Sequence, residues 1–203
     1  WELALESLKF LKASVSTYIN IAQKEGFERA QKAEAAHYDR PRDPATLAQL
    51  GFLNDVFQRG GAFQALMHPI MQGVDRLQEL RSNTRGGVLA EQTVDEVLQL
   101  LLLVMRNDAS ILQAMKGLSK TDTVGFQPLS LTLKQDEIMC LMEYALYPYL
   151  PNLQMHALQI AIILEEQRDD FVSLLMTPSP PPTRTQFGPK LAPATSSSPS
   201  LSS

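Results

Sequence analysis

Apolar residues recur at three- and four-residue steps through most of the chain up to residue 176, which is the period of an amphipathic α-helix. In the first segment Leu3, Leu5, Leu8, Leu11, Val15, Tyr18, Ile19 and Ala22 form one stripe, with Lys9, Lys12, Ser16 and Lys24 off it. Gly26 is the expected stop. An Ala-rich helix is expected over residues 27–37, with Glu28 and Lys32 spaced for an i,i+4 pair. Pro41 and Pro44 then forbid a helix and make a corner. Asp43 can cap, and Pro44 can start, a helix carrying Leu47, Leu50, Leu53, Val56 and Phe57 and ending at Gly60-Gly61.

Residues 62–81 carry Phe63, Leu66, Met67, Ile70, Val74, Leu77 and Leu80 on one stripe. Pro69 and Gly73 interrupt it, predicting a kink or two short helices. The Ser-Asn-Thr and Gly-Gly content of residues 82–87 predicts a turn. Residues 91–106 are the most hydrophobic helix, and Leu100, Leu103 and Val104 widen its stripe enough to require cover on more than one side. Asn107 or Asp108 is the expected cap of a separate helix through Leu118, followed by a loop over residues 119–132. Thr132 or Asp136 opens the next helix, which Tyr147-Pro-Tyr-Leu-Pro151 breaks. Asn152 is the expected cap of one last helix over residues 153–175. Its Leu158, Ile162 and Ile163 form a second apolar face, predicting burial on several sides.

No stretch alternates with a period of two, so no sheet is expected. The fold class is all-α: stacked antiparallel helices, solenoid-like or an irregular bundle. Elements of about 30–45 residues have the length of helical repeats, although no sequence signature recurs between them. At Thr177 the composition changes to seven prolines and seven serines without an acid. Such a segment cannot bury enough apolar area to offset its ordering entropy, so a helical domain over residues 1–176 and a disordered tail over residues 177–203 are expected.

Composition narrows the function classes. The 18 basic and 22 acidic side chains give a net charge of −4, which argues against a nucleic-acid partner. The longest apolar run, residues 100–105, is far short of the ~20 residues that cross a bilayer. A lone cysteine, Cys140, excludes an intrachain disulfide and points to an intracellular, reducing setting. The chain begins at Trp1, so it reads as a piece of a longer helical protein.

Chemistry is sparse. His37, His68 and His156 stand far from one another and from Cys140, without the close pairs a zinc site needs. Nucleophile elbows and phosphate loops are missing, so no catalytic residue, cofactor or metal is assigned. The strongest metal candidates are Glu165, Glu166, Asp169 and Asp170, which a continuous helix would present as two i,i+4 carboxylate pairs able to hold magnesium. The cluster is similar to the aspartate-rich motif of helical isoprenoid synthases, but its first two positions are Glu and no second metal motif accompanies it. A solvated face relieved by Arg168 is the favoured reading. The corner of residues 37–42 reads as locally paired charges, and the methionines as core filling.

The helical stripes of residues 138–146 and 153–175, joined by the Tyr147-Pro-Tyr-Leu-Pro151 corner, resemble the terminal part of large α-helical scaffold proteins, in particular the inner-ring scaffold nucleoporins. That resemblance implies a structural, non-enzymatic role within the nuclear pore, with other proteins as partners. Two alternatives come from other classes: a metal-dependent helical enzyme using the acidic cluster, and a regulatory module that captures a partner helix. The wide apolar ridges are expected to bury one another and leave no room for a reactive pocket.

Overall fold

The computed structural model describes residues 2–34, 62–81, 84–115 and 126–177. All regular structure among them is helical: α1 (Glu2–Glu34), α2 (Ala62–Met71), α3 (Gly73–Arg81), α4 (Thr84–Met115), α5 (Leu129–Thr132), α6 (Gln135–Leu146), α7 (Pro151–Gln167) and α8 (Phe171–Met176). The expected corner at 37–44, His37, the helix ending at Gly60-Gly61 and the expected tail beyond Thr177 lie outside the described residues.

α4 is the axis of the fold. α1, α2, α3, α5 and α7 all pack on it, and α6 packs on α2, α3 and α7. The continuous apolar run makes this arrangement necessary. Val97, Leu98, Leu100, Leu101, Val104 and Met105 are all buried, so every side of the helix there needs a neighbour. Leu5, Val15, Ile19 and Ala22 are the buried positions among the described side chains of α1. Leu153, Ala157, Ile160, Ile163 and Leu164 are those of α7.

Several helix boundaries differ from the local signals. α1 runs through Gly26 as one 33-residue helix, where two were expected. A mid-helix glycine costs only about 1 kcal/mol, which packing along α4 offsets. α4 begins at Thr84, inside the expected turn, and runs through Asn107 and Asp108 to Met115 without a second start. Both of those residues are buried, and Asp108 caps a different element instead. Part of the expected 119–132 loop is the short helix α5.

The expected interruption after Pro69 is present. α2 ends at Met71, and α3 starts at Gly73 with φ at 77°, a conformation in which a Cβ is strained. α6 opens at Gln135, where the Glu137 carboxylate accepts the Lys134 backbone N–H at 2.8 Å. The Tyr147–Pro151 break also stands. Pro151 rather than Asn152 starts α7, because proline lacks only an N–H that would be unpaired there.

The last helix is not continuous. α7 stops at Gln167, and the turn at Arg168, Asp169 and Asp170 leads into α8. Tertiary hydrogen bonds account for the stop. Arg168 Nη1 donates to the carbonyls of Ser130 at 3.1 Å and Leu133 at 2.8 Å, while Nε and Nη2 donate to Asp170 at 2.9 and 3.0 Å. Its guanidinium thereby locks the α5–α6 connection to the end of α7. Gln135 Nε2 closes the same corner by donating to the carbonyls of Leu174 and Thr177.

Candidate functional site

The acidic cluster does not form the face that its spacing suggested. Only Glu165 and Glu166 are helical, while Asp169 and Asp170 sit in the turn after α7, so the i,i+4 register is broken between the two pairs. All four side chains are exposed, and the Asp170 carboxylate is held below the usual aspartate range by its hydrogen bonds to Arg168. Among the described residues, no three or more His, Cys, Asp or Glu side chains are placed to share a metal ion. Cys140 is half-buried on α6, and burial together with the nearby Glu143, Asp136 and Glu137 pushes its thiol up to about 11. His68 is exposed beside the α2–α3 break.

His156, by contrast, is built into a tertiary network. Its Nδ1 lies 2.9 Å from Asp95 Oδ1, 61 residues away in sequence. The second Asp95 oxygen accepts Gln99 Nε2 at 2.8 Å, and Gln99 Oε1 accepts Lys12 Nζ at 2.7 Å. Lys12 also forms an ion pair with Glu96. A chain of polar contacts thus crosses from α7 over α4 to α1.

Lys12, Gln99 and His156 of this network border a cleft of about 430 Å3 between α1 and α7, floored by α4. Leu102 and Leu103 line it, together with Lys12, Ser16, Gln99, Arg106, His156 and Gln159. The expectation was that the ridges leave no room for a reactive pocket; α1 and α7 both lie on α4, and a trough remains between them. Arg106 is exposed, and its Nη2 donates to Gln159 Oε1 at 3.1 Å. Asp95 supports the imidazole as a hydrogen-bond acceptor. Among the described residues, no hydroxyl or thiol bonds to that ring, so no paired nucleophile and base is assembled there.

Beside the cleft, α7 turns Met155, Leu158 and Ile162 outward. Their spacing of three and four residues puts them in one row. Leu158 and Ile162 are 45% and 57% exposed, which corrects the expectation that both are buried; Ile163 is buried as expected. α1 likewise presents Leu3, Phe10 and Ile21 to the outside, so Leu3 is not part of the core stripe. Lys12 and His156 had no local signal of a shared role, because 144 residues separate them and only the packing of α1 and α7 on α4 unites them.

Comparison with known proteins gives one informative similarity. The chain is 26% identical over 175 residues, 83% of its length, to the protein named Nuclear pore complex protein NUP205 of Arabidopsis thaliana. The similarity to this nuclear pore protein thus extends over most of the chain. The match spans 9% of that protein's length. No family profile and no solved structure matches.

Proposed function

We propose that this chain is a non-enzymatic scaffold segment of a nuclear pore assembly, binding neighbouring proteins through its helix faces. The observation that carries the reading is the similarity to the plant nuclear pore protein over 83% of the chain. The fold is consistent with it: long helices packed on a central helix whose middle is largely buried, with rows of large apolar side chains turned outward on α1 and α7. Outward rows of this kind suit burial against further protein surface. Among the described residues, no helix is long and apolar enough to cross a membrane.

Tagging the endogenous protein with a fluorescent protein in its own cells tests this reading. The expected result is a rim at the nuclear envelope and co-purification with other pore components. A diffuse distribution, with none of those components recovered, overturns it.

A further inference from the structure

The geometry points to the α1/α4/α7 cleft as a docking site for an acidic amphipathic segment of a partner protein, with one partner carboxylate bound by Arg106. This rests on the scaffold reading and names the chemistry of one contact it would use.

Charge decides the occupant. The ionisable groups at the cleft are Lys12 from α1, Asp95, Glu96 and Arg106 from α4, and His156 from α7. Asp95 and Glu96 are already engaged, with His156 and Gln99 on one side and Lys12 on the other. Among the described residues, Arg106 meets no carboxylate; its bond is to the neutral Gln159 amide. An exposed guanidinium has several donors to spare in a planar fork that matches a carboxylate bidentately. Lys12, whose ammonium keeps one donor beyond those engaged by Gln99 and Glu96, and Ser16 stand on the opposite wall.

The apolar surface decides that the carboxylate belongs to a peptide rather than a small anion. Leu102 and Leu103 floor the cleft, and the row Met155, Leu158 and Ile162 continues beyond Gln159. A small acid would leave that row in water. A helix with an apolar stripe flanked by Glu covers the row and reaches Arg106 at once.

The test uses the whole chain and two labelled peptides of about 20 residues, one with a Leu stripe flanked by Glu and the other flanked by Lys. Fluorescence anisotropy should show the Glu peptide binding at least about tenfold more tightly than the Lys peptide, and weakening as salt rises to about 0.3 M. Arg106→Glu should weaken it by about tenfold or more, and Arg106→Gln by less. Ile162→Asp should weaken both the Glu peptide and any residual binding of the Lys peptide. Unchanged thermal melts of these surface variants establish that their folds are intact. The proposal is overturned if the Glu peptide fails to bind, if the Lys peptide binds equally well, or if Arg106→Glu leaves the affinity unaltered. None of those results moves the fluorescent rim that tests the scaffold role, so the two readings fail separately.

Discussion

Asp108, about three-quarters of the way along α4, accepts the backbone N–H of Leu129 on its Oδ2 at 2.8 Å. The contact ties the start of α5 to the central helix, and it keeps a carboxyl group buried. Burial pushes the Asp108 carboxyl up to about 7, against the lowering effect of the Leu129 N–H.

That shift sets a pH dependence. An aspartate has an ordinary value near 3.8, so between about pH 4 and 7 the folded chain holds this proton and the unfolded chain has lost it. Stability contributed here therefore falls as pH rises through that window, by up to about 4 kcal/mol, and is level above it. Asp108→Asn keeps an acceptor for Leu129 and removes the charge. Its melting temperature should exceed that of the parent at pH 8 and converge with it near pH 4. A constant difference across the range would contradict this.

Gly73 begins α3 at positive φ, and an added Cβ would meet the Glu143 carboxylate at 3.3 Å. Gly73→Ala should destabilise the chain by about 1–2 kcal/mol. Gly86, within α4, has nothing within 4 Å of an added Cβ, so Gly86→Ala should be stabilising or neutral, by up to about 1 kcal/mol. Paired denaturant melts of the two variants check both signs.

Arg168 bonds two backbone carbonyls across the α5–α6 connection while its own side chain is only 10% exposed. Arg168→Met retains much of the packing and removes the donors. We expect a loss of about 2–3 kcal/mol in denaturant melts. Amide exchange in residues 126–134 should rise more than in α4. Uniform acceleration across both regions would show that the clasp is not local.

Cys140 combines partial burial with three surrounding carboxylates, and its thiol sits at about 11. Since the thiolate is the nucleophile, iodoacetamide at pH 8 should modify native Cys140 at least about tenfold more slowly than the urea-unfolded chain. Equal rates would show an accessible, ordinary thiol.

A buried leucine of α4 and an outward leucine of α7 make a last comparison. Leu98 of α4 is fully buried, so Leu98→Ala should cost about 2–5 kcal/mol. Leu158→Ala, at a surface position, should stay within about 0.5 kcal/mol in the isolated chain. A large loss at Leu158 would mean that the face is covered.

Apolar period alone determined that this is a helical protein, that the run from Val97 to Met105 is covered on more than one side, and that Pro69, Gly73 and the Tyr147–Pro151 corner interrupt helices. These are local consequences of side-chain spacing and of backbone groups that proline and glycine alter. Tertiary structure decided the rest. It carried α1 through Gly26, because packing against α4 exceeds the small cost of one glycine. It gave Asp108 to Leu129 instead of a helix start, and it ended α7 at Gln167 through Arg168. It also chose which apolar rows face water, and it brought Lys12, Arg106 and His156 to one cleft. Periodicity states that a helix has two faces, but only its neighbours fix which of them is covered.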